Sequence, residues 1–283
     1  FFLQAEDGIR DPLWSRGLGD VYKRQSLYFA YFYSLMKIYV KHYRKAAVGI
    51  LEFGDPSGNS LRENSLKELQ KQLLALEANE KVRVIVLQSA GSKAFCGGSS
   101  FIEMKELKDI EQATIFFMGF ANVINTLRSL SKFVIARIQG KVVGGGVGLV
   151  SACDFAIATK CASIKLSELS IGLGPYVIEP AVSRKIGATA FSQLSLDTEN
   201  WKDPEWSLSK GLFADVVKNE DELNKKVNQV AERISAYSPQ AVKNLRKLHW
   251  KNTDHWETLL PKNAEITARL VLEKTTQKIL KTL

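Results

Sequence analysis

The pattern of apolar and polar positions changes character along the chain. Between about residues 37 and 180, short apolar runs typical of strands alternate with longer segments of helical periodicity. The runs at 82–89 and 133–140, VRVIVLQS and FVIARIQG, predict buried strands because they are rich in β-branched residues. From Asp221 onward the periodicity is almost entirely helical. Strands alternating with helices, followed by helices alone, predict an α/β core with a helical C-terminal part.

Three helices can be delimited from the same pattern. Ser60 and Glu63 stand at the spacing of a capping box, which predicts a helix from there to about Ala78. Residues 181–196 are predicted to form one helix. Residues 111–130 are predicted to form another, with one side made by Ile115, Met118, Val123 and Leu127.

The first 35 residues do not follow this pattern. They contain turn residues and scattered charges without a sustained period, and residues 1–25 resemble translated sequencing-adapter read-through. The apolar stretch SLYFAYFYSL that follows is shorter than the ~20 residues that a membrane span needs. We therefore predict a non-native or disordered extension over residues 1–35, a core over 36–197 and a helical C-terminal region over 198–283.

Composition narrows the classes of function. The chain of 283 residues is 45% hydrophobic and 24% charged, as in ordinary globular proteins. Its three cysteines have no paired spacing, which favours reduced thiols and a cytoplasmic location over a disulfide framework. Neither HExxH nor CxxC spacing occurs, so we expect no metal site.

The formal net charge of +9 favours an anionic partner, which could be a phosphorylated small ligand, a membrane surface or nucleic acid. The basic and aromatic residues are not interleaved as in RNA-recognition modules, which argues against nucleic acid. We expect no membrane partner either.

The segment GKVVGGGVGLVSACD, residues 140–154, contains three consecutive glycines whose role has to be explained. Glycine inside an element destabilises by roughly 0.5–1 kcal/mol relative to alanine, so three in a row need a reason. The segment lacks the dinucleotide-binding, P-loop and nucleophile-elbow spacings. Close packing of a helix on a strand is one explanation. The other is a set of free N–H groups at a helix N-terminus, which suits an oxyanion hole. A second glycine-rich loop, AFCGGSS, could supply the second donor.

Together, three segments resemble the enoyl-CoA hydratase/isomerase (crotonase) superfamily, and within it the methylglutaconyl-CoA hydratase-like branch. They are KAFCGGSSFIEM, IQGKVVGGGVGLVSACDFAIAT and ASIKLSELSIGLGP. The resemblance implies a spiral core of ββα units with a helical C-terminal oligomerisation region. It also implies an acyl-CoA substrate, no cofactor beyond the coenzyme A of that substrate, and a homotrimer or dimer of trimers.

The resemblance further implies roles for individual residues. The N–H groups of Ser99 and Gly145 would bind the acyl thioester oxygen, and Glu168 would be the acid/base. Hydratases of the family typically have a second glutamate at the position that is Gly148 here. Glu179 could line the acyl pocket or pair at the surface. The full set of substrate-binding candidates is Ala94, Cys96, Gly97, Gly98, Phe101, Gly144, Gly148, Pro175 and Glu179. For Cys96 a packing role is favoured.

The leading expectation is hydration of a short or branched enoyl-CoA of the methylglutaconyl type, in leucine or fatty acid breakdown. A Δ3,Δ2-enoyl-CoA isomerase that uses one glutamate is the alternative. A decarboxylase, an RNA-binding protein and a non-catalytic family member also remain open.

Overall fold

The computed structural model describes residues 37–282, so the extension expected over residues 1–35 lies outside the described residues. Six strands form the larger sheet, in the order β1 (Tyr39–Lys45), β2 (Val48–Gly54), β3 (Val84–Ser89), β5 (Phe133–Ile138), β7 (Phe155–Thr159) and β9 (Asp215–Val217). The first pair is antiparallel and all later pairs are parallel. A smaller parallel sheet consists of β4 (Ala94–Cys96), β6 (Lys141–Val143) and β8 (Ile164–Lys165).

Helices connect and cover these sheets. Four precede Phe155, namely α1 (Glu63–Ala78), α2 (Phe101–Glu106), α3 (Ile110–Ser129) and α4 (Gly145–Ala152). A short 3₁₀ helix, Leu169–Ile171, follows β8. The remainder are α5 (Glu179–Ile186), α6 (Ala188–Leu196), α7 (Pro204–Ser209), α8 (Glu220–Ser235), α9 (Pro239–His249), α10 (Trp256–Val271) and α11 (Lys274–Leu280). Among residues 37–282, no helix is both long and apolar enough to cross a bilayer.

The chain alternates between the two sheets. Each of β3, β5 and β7 in the larger sheet is followed directly by β4, β6 and β8 in the smaller one, and then by a helical segment. This repetition of ββα units confirms the predicted α/β fold class with a crotonase-like spiral core.

The smaller sheet decides where the glycine-rich loops lie. These loops do not follow the long strands β3 and β5 directly. They follow β4 and β6, three-residue strands that propensity alone does not reveal. Because neighbouring parallel strands present their carboxyl ends at the same edge, the segments after β4, β6 and β8 are brought together.

Strand β3 is buried on both faces, as its continuous apolar run predicted. Val84 and Val86 point to one side and pack against α8, whereas Ile85 and Leu87 point into the main core. The C-terminal region shares this core, because β9 pairs with β7 and α10 packs along α3. The described residues after 197 therefore share a continuous sheet and core with those before it, and the boundary at residue 197 stays a prediction.

Two local predictions were wrong. Helix α1 starts at Glu63 with Arg62 as its N-cap, so Ser60 does not cap it. The predicted helix over 181–196 is interrupted by Gly187, whose φ of +82° ends α5. Of the residues expected on one side of α3, Val123 and Leu127 are buried, whereas Ile115 is 44% exposed.

Candidate active site

One cavity lies where the segments after β4, β6 and β8 converge. Its empty volume is about 590 Å³, including its open mouth. Ser99, Gly145 and Glu168 all contribute to its lining, although they lie far apart in the sequence. The three residues expected to perform the chemistry are therefore brought together.

The backbone around Ser99 is fixed by a bridge to Leu61, and the N–H group of Ser99 points away from that bridge. Leu61 forms a parallel bridge with Ser99, in which the Leu61 N–H donates to the carbonyl of Gly98 at 2.7 Å and the Ser100 N–H donates to the carbonyl of Leu61 at 3.0 Å. In such a bridge the N–H of the middle residue points to the opposite side. The Ser99 N–H is left available to a ligand.

Gly144 directs the second donor. Its φ of +52° is a conformation that favours glycine, and its own N–H donates to the carbonyl of Lys165 at 3.0 Å, which fastens the loop to β8. Gly145 is then the first residue of α4, so its N–H has no intrahelical acceptor. The helix N-terminus adds a partial positive charge at this point.

The other two glycines of the run allow close packing. A Cβ atom on Gly145 would lie 2.4 Å from the ring of Phe120, and one on Gly146 would lie 2.7 Å from Cβ of Cys96. The packing explanation and the N–H explanation of the glycine run are therefore compatible, and both apply to Gly145.

Glu168 faces the glycine loop. It precedes the 3₁₀ helix, and its carbonyl accepts hydrogen bonds from the N–H groups of Ile171 and Leu173. Its Oε1 would lie 3.0 Å from a Cβ on Gly144, and its Oε2 is buried without a hydrogen-bond partner. Burial raises the pKa of this carboxyl from 4.5 to about 7, and backbone hydrogen bonds only partly offset the effect.

The substrate-binding candidates fall into two groups. Gly97, Gly98, Phe101, Gly144 and Pro175 line the cavity.

The remaining four candidates, Ala94, Cys96, Gly148 and Glu179, lie outside its lining. The carbonyl of Ala94 is occupied by the side-chain amides of Asn59 and Gln139 at 2.8 and 3.0 Å. Gly148 lies beneath the side chain of Ile178. Glu179 is the half-buried first residue of α5.

Cys96 is fully buried beneath the loop, and burial raises the pKa of its thiol to about 12. Its Sγ accepts a long hydrogen bond of 3.4 Å from the N–H of Gly98. A thiol in this state is a packing group and not a nucleophile.

Sequence reasoning missed most of the cavity wall. Phe117 and Phe120 are buried on α3 and face the cavity, but they were not among the residues singled out from the periodicity of this helix. Thr267 comes from α10, for which no local signal exists. The lining residues that were missed are Met104, Phe117, Phe120, Val143, Ser167, Ile171, Leu173, Gly174, Val177, Ile178 and Thr267.

The arrangement can stabilise a negative charge and move a proton. Backbone N–H groups from two glycine-rich loops that line one cavity suit a developing oxyanion, and a carboxyl with a pKa near neutrality suits general acid–base catalysis. Over residues 37–282, no group of three or more potential metal ligands is present. The fold and cavity together define an α/β protein with a glycine-lined, largely apolar pocket around one carboxyl group.

Comparison with known proteins gives the family. Residues 43–281 match the enoyl-CoA hydratase/isomerase family, so the chain belongs to that family and is an enzyme of the crotonase superfamily. A short-chain-enoyl-CoA hydratase of Clostridium acetobutylicum is 31% identical over 202 residues, which are 71% of this chain and 76% of that protein. The mouse mitochondrial methylglutaconyl-CoA hydratase is 32% identical over 139 residues, covering 48% of this chain and 44% of the relative.

Solved structures agree with the fold. The enoyl-CoA hydratase of Bacillus halodurans superposes with a TM-score of 0.80 at 20% identity, covering 87% of this chain and all of that chain. An enoyl-CoA hydratase of Bacillus anthracis superposes with a TM-score of 0.70 at 27% identity, covering 81% of this chain and 89% of the other.

Proposed function

We propose that the protein hydrates a 2-enoyl-CoA, with Glu168 as the principal acid/base and the N–H groups of Ser99 and Gly145 as the oxyanion hole. The observation that carries this proposal is the convergence of these three residues on one cavity. The names of two relatives, a short-chain-enoyl-CoA hydratase and a probable enoyl-CoA hydratase, support the reaction.

In this mechanism Glu168 handles both proton steps. The ionised carboxylate takes a proton from water as the water oxygen adds to the β-carbon of the acyl chain. The electron pair of the double bond moves onto the thioester oxygen, where the two N–H groups stabilise the enolate. The protonated carboxyl then delivers the proton to the α-carbon. A pKa of about 7 makes both forms of Glu168 available near neutral pH.

One observation favours a second candidate reaction, the Δ3,Δ2-isomerisation. Within the described part of the chain, Glu168 is the only ionisable side chain on the cavity wall. An isomerase needs one such group, because the carboxylate that removes a proton from C2 of a 3-enoyl thioester can return it to C4. A hydratase must also hold a water molecule.

A panel of thioesters tests the proposal and separates the alternatives. The purified protein is given a 2-enoyl-CoA, the matching 3-enoyl-CoA and a 2-carboxyacyl-CoA, and the products are identified by mass and retention time. Gain of one water means hydration, unchanged mass with altered retention means isomerisation, and loss of carbon dioxide means decarboxylation. We expect hydration to be the fastest reaction, and no conversion of any thioester would contradict an enzymatic role in this chemistry.

Two carboxyl variants test which glutamate transfers the proton. Glu168→Gln is expected to abolish most of the turnover. Glu179→Gln is the matched control, because Glu179 is a nearby half-buried carboxyl outside the cavity lining. Loss of turnover in Glu179→Gln with full activity in Glu168→Gln would reverse the assignment.

We propose in addition that the protein is a cytoplasmic homotrimer or dimer of trimers that needs no cofactor beyond the coenzyme A of its substrate. These properties rest on the family resemblance. Light scattering coupled to size-exclusion chromatography tests the assembly, and activity of protein freed of metals and small molecules tests the cofactor.

A further inference from the structure

The side chain of Ile178 occupies the space above Gly148. A Cβ atom on Gly148 would lie 2.3 Å from Cγ2 and 2.6 Å from Cβ of Ile178, and 3.5 Å from Cδ1 of Ile124. Real Cβ atoms do not approach other carbons as closely as the first two distances. Ile178 therefore fills the volume that any side chain at position 148 would need.

Ile178 is also part of the cavity wall. It is 3% exposed, lines the cavity and is the N-cap residue of α5, whose first turn contains Pro180. Its carbonyl accepts the N–H of Val182 at 3.0 Å. Since a β-branched side chain has few rotamers and the backbone here is fixed by the helix start, the wall is rigid.

The rest of the wall around Glu168 is mostly apolar. Ser99, Ser167 and Thr267 are the hydroxyl-bearing residues of the lining, and the Thr267 hydroxyl donates to the carbonyl of Asn263 at 2.9 Å. The apolar side chains that share the wall with Ile178 are Phe101, Met104, Phe117, Phe120, Val143, Ile171, Leu173 and Val177. A second carboxylate enclosed in this cavity would lose part of its hydration and would share the cavity with Glu168, and both effects oppose its ionised form.

We propose that Ile178, lying on Gly148, is the specificity-determining residue of this site and restricts the acyl group to a neutral aliphatic chain of limited bulk. The inference rests on the proposed function, because it takes this cavity to be the acyl site. It replaces the expectation of a methylglutaconyl-type substrate, whose acyl chain ends in a carboxylate.

The charge part of the proposal is tested by binding, which does not require turnover. Glutaryl-CoA and 5-methylhexanoyl-CoA have the same number and arrangement of non-hydrogen atoms along the acyl chain but differ in the terminal charge. Calorimetric titration should show the neutral thioester binding at least about 100-fold more tightly. Equal affinity, or tighter binding of glutaryl-CoA, would overturn the proposal.

The steric part is tested by shortening Ile178. In Ile178→Ala, the affinity for 5-methylhexanoyl-CoA relative to butyryl-CoA should rise by about 10-fold, and Ile178→Val should change it less in the same direction. Val182→Ala is the matched control, since Val182 is a buried β-branched residue on α5 outside the cavity lining. If the ratio stays at its wild-type value in both Ile178 variants, or if Val182→Ala changes it equally, Ile178 does not set the specificity.

A double-variant cycle tests the contact itself. Gly148→Glu should lower the melting temperature because the new side chain overlaps Ile178, and combining it with Ile178→Ala should recover part of the loss. Gly148→Glu with the wild-type melting temperature would show that Ile178 does not hold this space. None of these binding and melting measurements depends on turnover, so a failure of the proposed reaction in the thioester panel would be recognised separately.

Discussion

The fold buries one carboxylate oxygen of Glu168 away from water. Its Oε2 is buried without a partner, and burial raises its pKa from 4.5 to about 7. The folded protein therefore holds the proton more tightly than the unfolded chain. The resulting destabilisation is absent below pH ~4.5, grows between pH ~4.5 and ~7, and is complete above pH ~7.

This linkage gives an expected stability change for Glu168→Gln. At pH 8 the variant should be more stable than wild type by as much as about 3 kcal/mol. Solvation of the exposed part of the Glu168 side chain makes the gain smaller than this upper value. At pH 4 the two proteins should be equally stable. Urea denaturation at both pH values measures the difference, and a gain that is the same at both would mean that the carboxyl is not desolvated.

The same residue sets the expected pH dependence of turnover. Since the proposed mechanism uses Glu168 first as a base, kcat/KM should rise with pH through about 7 and reach a plateau above it. Glu168→Gln should lower turnover by about 10²–10⁴ and remove this inflection, while coenzyme A binding persists. Steady-state rates between pH 5 and pH 9 provide the test. A wild-type profile that falls through pH 7 would mean that the free enzyme must be protonated to react.

Gly145 combines a packing contact with Phe120 and the proposed oxyanion-hole N–H donor, and a pair of variants can separate these two roles. Gly145→Ala keeps the N–H donor but places a methyl group on the Phe120 ring, whereas Gly145→Pro adds the loss of the donor. Loss of one oxyanion-hole donor typically costs about 10²–10³ in rate. We expect Gly145→Pro to be slower than Gly145→Ala by about that factor, measured as kcat on folded protein. Equal rates would place the oxyanion hole elsewhere.

At the scale of elements, sequence patterns predicted the strands and helices whose signal comes from residues adjacent in the chain. The β-branched runs gave β3 and β5, and the glycine run gave α4. The short strands β4 and β6 were missed because three residues carry too little periodicity. The catalytic candidates came from motifs, whereas Ile178 and Thr267 reach the cavity only through the packing of α5 and α10.

The start of α1 shows the same limit. The capping box expected from Ser60 is not formed, and the Ser60 hydroxyl donates instead to the carbonyl of Ser57 at 3.0 Å. The N–H of Glu63 donates to Oε2 of Glu103, at 2.8 Å, from the neighbouring helix α2. A partner this distant in sequence leaves no spacing that a capping rule could recognise.

This cross-helix cap can be measured. Glu103→Ala should lower the free energy of unfolding by about 1 kcal/mol, the usual cost of losing an N-terminal cap. For a protein of this size that corresponds to a fall in melting temperature of about 2–4 °C. Ser60→Ala is the control and should change stability by less than about 0.5 kcal/mol. If Ser60→Ala lowered the stability more than Glu103→Ala, the capping box of Ser60 and not the cross-helix contact would stabilise the start of α1.

At the scale of the whole molecule, a buried polar cluster ties the C-terminal helices to the core. Asp154, which precedes β7, accepts hydrogen bonds from Nε of Arg246 at 3.0 Å and from Nε1 of Trp250 at 3.1 Å. Its Oδ2 also accepts the N–H of Val134 at 2.8 Å. Arg246, which is 1% exposed, also donates to the carbonyls of Leu127, Leu130 and Arg128 at the end of α3. Residues beyond 197 therefore hold the amino ends of β5 and β7 and the end of α3 in place.

Removing Arg246 should consequently weaken the molecule as a whole. Arg246→Ala leaves the Asp154 carboxylate buried without its cation and several carbonyls without a donor, which typically costs about 3–5 kcal/mol. Lys202→Ala, at the more exposed Lys202–Asp197 pair, is the control and should cost less than about 1 kcal/mol. Because β9 and α10 share the core with the rest of the chain, urea unfolding of Arg246→Ala, followed by tryptophan fluorescence and far-UV circular dichroism, should show one transition shifted to lower urea. Two separate transitions would mean that residues 198–283 unfold as an independent unit, as a domain boundary at residue 197 requires.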